Sequence, residues 1–225
     1  VESCDTYYYT LARDMGVDLM HDQMKPLGFG QITGIDILGE SRGVLPSTEW
    51  KRNTYKKPEQ QRWYSGETIS LGIGQGYNNF TMLQIAHAMG TVANNGLKMK
   101  PHLVREVVDV ETKASTLVAK EPVGQLALLS ENLEVIKKGM VGVNIEGTSA
   151  TSFIGAQYVS AGKTGTAQVF TVKQNEKYNA STIDERMRDH ALFVAFAPAD
   201  DPKVALAMVV ENAGFGAQNA APIAR

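Results

Sequence analysis

The sequence predicts an α+β fold, an antiparallel sheet flanked by helices with a helical lobe ahead of it. Residues 5–24 and 81–95 repeat apolar positions at helical spacing. Three apolar, β-branched runs, at 158–170, 190–199 and 203–213, crowd into the last third of the chain. Helices come first and strands afterwards, which is not the βαβ alternation of a doubly wound sheet. With 225 residues, 43% of them hydrophobic, the chain can bury a full core, and a single domain is expected over residues 1–225. The start lacks Met and lies inside an apparent helix, and the final "GAQNAAPIAR" opens another, so truncation is expected at both ends.

The elements follow in order. Tyr8, Leu11, Ala12, Met15, Val17, Leu19 and Met24 predict two short helices broken near Gly16, with Ser3 where an N-cap would sit. Residues 28–43 are Gly-punctuated around a short apolar run and read as loop and strand. Residues 44–67 hold both tryptophans but no period, and read as surface loop. The clearest helix covers 81–95: Thr81 caps it, Met82, Ile85, Ala86, Met89 and Val92 share a face, and Asn94, Asn95 and Gly96 stop it. Residues 102–110 alternate like a strand. Residues 130–143 read as a helix with Leu133, Ile136, Lys137 and Met140 on one side. Three strands follow, the last two joined by "DDP", a hairpin signal that implies antiparallel pairing. The polar stretch 171–189 between the first and second is long enough to act as a lid over whatever the first strand presents.

Composition narrows the function. The net charge is −2 and no Lys/Arg cluster alternates with aromatics, so nucleic acid is not expected as a partner. No run reaches the ~18–20 apolar residues of a membrane span, and "VESCDTYYY" has neither the charged start nor the apolar middle of a signal peptide. Cys4 is the sole cysteine, which rules out an intrachain disulfide.

Four short motifs compete for the chemistry. "GESRG" at 39–43 fits G-x-S-x-G, the nucleophile elbow of α/β-hydrolases, with Ser41 as nucleophile. That elbow needs a helix directly after the serine, and Pro46 disfavours one, so a Gly-rich turn is the better reading. "GIGQGY" at 72–77 lacks the spacing and the Lys-Ser/Thr of a phosphate loop and reads as a tight corner before the 81–95 helix. "SAGK" at 160–163 fits S-x-x-K, but on a strand residues i and i+3 point to opposite faces, so Ser160 is not a nucleophile. The same lysine opens "KTG" at 163–165, on a strand followed by a hairpin pair and by the glycine-rich "AGFGAQ" before a final helix.

That strand has a chemical use. A carboxylate-bearing substrate held along its edge would meet positive potential from Lys163 and the hydroxyls of Thr164 and Thr166. Gly165 would let the substrate backbone lie flat. The N–H of Thr166 could form one half of an oxyanion hole, a donor whose loss costs on the order of 3 kcal/mol.

With these residues in view the chain resembles the later part of the transpeptidase domain of class B penicillin-binding proteins of the elongation type. The resemblance runs nearly end to end, through "SCDTYYY", "TGIDILGE", "LPSTEWK", "GIGQGYNNFTMLQIAHAM", "GTAQVF", "RMRDHALFVAFAP" and "VVENAGFGA". It implies the penicillin-recognising serine transpeptidase fold, in part. Ser3-Cys4-Asp5 then occupies the S-x-N motif, in which Ser3 would relay protons near Lys163. Asp5 departs from the usual Asn, and its carboxylate is expected to pair with a lysine and help keep it charged. The nucleophile's S-x-x-K precedes S-x-N in the family, so it is expected upstream of Val1, leaving this polypeptide inert alone.

The resemblance also implies a reaction and a setting. Serine is acylated by the D-Ala-D-Ala end of a peptidoglycan stem peptide, D-Ala leaves, and an acceptor amine completes the cross-link. β-Lactams would acylate the same serine. Implied partners are lipid-linked peptidoglycan precursor, the upstream half of the same protein, a membrane glycosyltransferase and shape-determining proteins. The implied location is the periplasmic face of the bacterial inner membrane, with an upstream anchor. No cofactor is needed for catalysis.

Cys4 is expected to be a buried, inert thiol, the ordinary fate of a free cysteine; the alternative is a structural zinc site completed by Asp or His from upstream. His21, His87, His102 and His190 show no ligand spacing and read as structural or surface residues. Two neighbouring functions share K-T-G. A serine β-lactamase needs an activated-water residue, and none is assignable here; a non-catalytic β-lactam sensor would carry a signalling membrane module upstream. The elongation-type segments favour the cross-linking enzyme.

Overall fold

The computed structural model describes residues 1–169 and 183–225. The helices α1 (Asp5–Met15) and α2 (Val17–Met24) meet at Gly16, whose φ of 75° turns the chain as expected. A 3₁₀ turn follows, then the three short helices α3 (Thr48–Thr54), α4 (Pro58–Gln61) and α5 (Ser65–Leu71). Helix α6 (Met82–Ala93) leads to β1 (Leu97–Met99), β2 (Glu106–Val108), β3 (Ser115–Leu117) and β4 (Pro122–Gln125). These pair as two small ribbons, β1 with β4 and β2 with β3. Helices α7 (Ser130–Ile145) and α8 (Ala150–Phe153) precede β5 (Ala161–Ala167), β6 (His190–Ala197) and β7 (Val204–Val210), and α9 (Gly216–Asn219) and α10 (Ala221–Ala224) close the chain.

The strands β5, β6 and β7 form the antiparallel sheet that organises the core, in that order, with Thr164 opposite Phe193 and Phe193 opposite Met208. Its centre is apolar on both faces because both are covered. Ala191, Phe193 and Ala195 face α8, α9 and α10 through Phe153, Ala220 and Ala221. Phe196 and Ala161 face the other way, against Met89 and Ala93 of α6 and Met140 of α7. The α+β architecture and the "DDP" hairpin thus stand as the sequence implies. The 171–189 stretch expected as a lid falls largely outside the described residues.

Two expectations need correction, and a third, the α6 face, needs refining. Residues 28–43 form no strand: five glycines there take positive φ, which breaks a pleat, and the sole ladder contact nearby is the isolated bridge between Val44 and Asn79. Residues 44–67 are not surface loop but helices too short to show a period. They wrap a buried cation, Lys51, which is 3% exposed. The buried row of α6 is Gln84, Ala88 and Thr91, whereas Met82, Ile85, Ala86, Met89 and Val92 are half-buried. Gln84 is tolerated inside because its amide is fully used. It completes a capping box with Thr81 and donates to the carbonyls of Gln31 (2.6 Å) and Arg42 (2.8 Å).

Lys51 is held by Glu67, whose two oxygens lie 2.5 and 2.6 Å from Nζ, and by the rings of Trp63, Tyr64 and Tyr77 at 5.4–5.5 Å. Burial alone would raise the Glu67 pKa, but Lys51, the Tyr64 N–H and the Tyr77 hydroxyl outweigh it and hold the carboxyl below its ordinary value. The pair's stability is therefore present above the unfolded glutamate pKa and is lost as pH falls through the lower folded one. Glu67→Gln is expected to cost about 3 kcal/mol in urea unfolding at neutral pH and to flatten the acid limb of stability. An unchanged acid limb would show that this pair does not set it.

Candidate active site

Strand β5 lies at the edge of its sheet, and among the described residues no strand pairs with its outer side. The carbonyl of Thr164 accepts from Lys163 Nζ at 2.7 Å and that of Thr166 from Gln75 Nε2 at 3.4 Å. Both carbonyls therefore point away from β6. In an antiparallel strand a residue's N–H lies on the same side as its C=O, so the Thr166 N–H also faces the open edge. This is the orientation that an oxyanion donor needs.

Lys163 reaches across the edge to the first turn of the chain. Its Nζ lies 2.5 Å from Ser3 Oγ, joining residues 160 apart in sequence. Burial lowers the Lys163 pKa, while the charges of Asp5 and then Glu2 push it back up. Asp5 thus acts on Lys163 through space; among the described residues no ion pair joins the two. Ser3 does not cap α1. The N-cap position is Cys4, without a side-chain cap bond, and the Ser3 hydroxyl is spent on the lysine instead.

The "GIGQG" corner holds these groups together. A Cβ at Gly72 would lie 2.6 Å from the Tyr8 carbonyl oxygen and 2.7 Å from Ala12 Cβ, so α1 packs directly on this backbone. Gly74 and Gly76 take φ of 80° and 70°, which sends the corner round to Gln75 and its contact with Thr166. Gln75 escaped sequence reasoning; its position between two positive-φ glycines was the available signal. At Gly165 the close approach within the chain comes from α9: a Cβ on Gly216 would lie 2.3 Å from the Gly165 carbonyl oxygen. Thr164 Oγ1 lies 2.8 Å from Thr148 Oγ1, a neighbour that no motif signals.

The remaining candidates fall outside this cluster. Ser41 sits in an exposed loop with no helix directly after it, and its Oγ accepts from the Gly43 N–H. Ser160 is 5% exposed and accepts from Asn144 Nδ2 at 2.9 Å, on the strand face opposite Lys163. All four histidines bond to backbone, His21 to Leu45 and Pro46, His87 to Met99, His102 to Val104 and His190 to the Asn212 N–H. Cys4 is exposed, which corrects the buried-thiol expectation: it lies at the N-cap position of α1, where no element among the described residues covers it. Among the described residues no group of three His, Cys, Asp or Glu side chains could hold a metal ion. No helix among them is long and apolar enough to cross a membrane.

An edge strand carrying Lys-Thr-Gly-Thr, with a serine from a helix start on its lysine, is the arrangement of the penicillin-recognising serine enzymes. The chain belongs to the penicillin binding protein transpeptidase domain family, whose model matches residues 1–225. Among curated relatives it is 42% identical to the peptidoglycan D,D-transpeptidase MrdA of Haemophilus influenzae over 229 positions, covering 100% of this chain and 34% of that protein. It is 44% identical to MrdA of Escherichia coli K12 over 218 positions, covering 96% and 34%. The chain thus spans about a third of the length of these relatives. Among solved structures it resembles Pseudomonas aeruginosa PBP2 in complex with WCK 5153, with a TM-score of 0.77 and 38% identity over 98% of this chain and 43% of that one. It also resembles PBP2 of Helicobacter pylori in complex with MreC, at TM-score 0.77 and 27% identity over 98% and 36%.

The Asp5 charge yields a test on this chain alone. Asp5→Asn removes the larger of the two influences that raise the Lys163 pKa, so the lysine is expected to titrate at lower pH, as followed by NMR of the lysine side chains. Lys163 would then keep its charge over a range narrowed from the alkaline side. An unmoved titration would remove Asp5 from the electrostatics of the site.

Proposed function

We propose that this chain is the later part of a peptidoglycan D,D-transpeptidase of the elongation type, which cross-links stem peptides through an acyl-serine and is acylated by β-lactams. The observation that carries the reading is the contact between Lys163 and Ser3 at the open edge of β5, which joins two of the motifs such a site requires. The third, the nucleophilic serine with its own lysine, lies outside residues 1–225 in this reading, and the chain alone is inactive.

Each residue then has a task. The acyl donor adds as a strand to β5, its terminal carboxylate meeting the Lys163 charge and the hydroxyls of Thr164 and Thr166. The outward N–H of Thr166 and that of the nucleophile hold the oxyanion as the serine attacks the penultimate carbonyl. Lys163 donates to Ser3 Oγ, which leaves the serine proton free to pass to the departing D-Ala amine. An acceptor amine later attacks the acyl-serine over the same donors. Gln75 rests on the Thr166 carbonyl, an acceptor that a docked substrate amide would use, so it yields when substrate binds.

The wider setting belongs to the same proposal. The enzyme works on the periplasmic face of the bacterial inner membrane, held by an upstream anchor, on lipid-linked or polymerised peptidoglycan. Its partners are shape-determining proteins and a membrane glycosyltransferase. Supporting this, the H. pylori neighbour is described in complex with MreC, and another neighbour, 30% identical with a TM-score of 0.74, belongs to a peptidoglycan synthase complex.

Intact-mass measurement after mixing with benzylpenicillin tests the assignment. The complete protein is expected to gain one long-lived adduct on a serine outside this chain, and residues 1–225 alone none. An adduct on Ser41 or Ser160, or none on the complete protein, would refute it.

A further inference from the structure

The hydroxyl pair Thr148–Thr164 poses a question of proton direction. The two Oγ1 atoms lie 2.8 Å apart, and either can donate. A hydroxyl has one proton. If Thr164 gives it to Thr148, the strand presents bare lone pairs at the position where the substrate carboxylate is proposed to dock. If Thr148 donates instead, the Thr164 proton is free to turn toward the carboxylate, and its O–H is polarised by the bond it accepts.

Thr148 is built into this position. It lies in the turn between α7 and α8, and the residues on either side fasten that turn to β5. Ser149 is fully buried, with Oγ 2.6 Å from Asn144 Oδ1 and 3.1 Å from the Val143 carbonyl. The buried Asn144 in turn donates to Ser160 Oγ, directly before β5. Gly162 makes room for this: a Cβ there would lie 3.0 Å from Asn144 Oδ1 and 2.6 Å from Phe193 Cζ. Ser160, Gly162 and Thr164 share one strand face, so the chain from Ser160 through Asn144 to Ser149 holds Thr148 over the face that carries Thr164. These buried polar groups have no other task in the chemistry above.

We propose that Thr148 is a positioning residue for carboxylate recognition, its hydroxyl donating to Thr164 Oγ1 and thereby turning the Thr164 proton toward the acyl donor's terminal carboxylate. The proposal rests on the reading of Thr164 as a carboxylate contact, and its test separates the two. In the complete protein, the second-order acylation constant is measured with benzylpenicillin as the free acid and as its neutral methyl ester, for Thr148→Val, Thr148→Ser, Thr164→Val and the double valine variant. Thr148→Val is expected to slow acylation by the acid about tenfold, the worth of roughly one hydrogen bond, while changing the ester less than about twofold. Thr148→Ser keeps the donor and is expected to match the unsubstituted protein with both. The double variant is expected to be no slower than Thr164→Val. If Thr148→Val slows acid and ester equally, or Thr148→Ser fails to restore the rate, the residue supports packing only and the proposal falls. If Thr164→Val is acid-selective and Thr148→Val is not, Thr148 alone is excluded. If Thr164→Val itself shows no acid selectivity, the carboxylate reading of Thr164 fails, and the proposal with it.

Discussion

Lys163 can reach Ser3 because the first turn of α1 is held against the open edge of a strand 160 residues later. Much of the structure serves that meeting. The sheet presents the lysine: β6 saturates the inner side of β5 and leaves the outer carbonyls of Thr164 and Thr166 free for side chains. The Gly72 corner presents the serine, since a side chain there would push Tyr8 and Ala12 away and carry α1 with them. A lysine and a serine hydroxyl at 2.5 Å thus depend on the absence of a methyl group elsewhere.

The site is also fastened from behind. One face of the sheet is closed by apolar packing of α8, α9 and α10, and beside it the α7–α8 turn is tied down by polar groups instead, Ser149, Asn144 and Ser160. Directional bonds fix a turn more narrowly than greasy contact does, because each holds only over a narrow range of distance and angle. The helical lobe uses the same device at larger scale. Lys51 and Glu67 are buried together under three aromatic rings, and Gln84 ties α6 to two loop carbonyls. Buried polar groups of this kind cost stability when one partner is lost, and in return hold short helices and loops that a small apolar core would leave loose.

Such features explain which readings of the sequence held. Helices α1, α2, α6 and α7 and the three core strands were legible because a period needs length, and these elements have it. The K-T-G strand was legible from its residue types and its setting, and Ser160 could be set aside because a strand sends residues 160 and 163 to opposite faces. The loop between 44 and 67 was misread for the opposite reason: α3, α4 and α5 are four to seven residues long, and their buried anchor is a charge. The α6 face was legible in part: Ile85 and Met89 pack against the core, but Gln84 and Thr91 lie deeper inside, where satisfied polar groups imitate surface.

By itself the sequence determined the order of the main elements, the antiparallel pairing at the end of the chain and the family, since these rest on periodicity, turn chemistry and motif. Only the tertiary structure decided that Ser3 does not also cap its helix, that Gln75 rests on Thr166, that Thr148 faces Thr164 and that Cys4 is exposed. The physical reason is distance along the chain. Propensity and pattern act over a few neighbours, whereas each of these facts is set by which backbones approach closely enough for one side chain, or one missing Cβ, to bridge segments far apart in sequence.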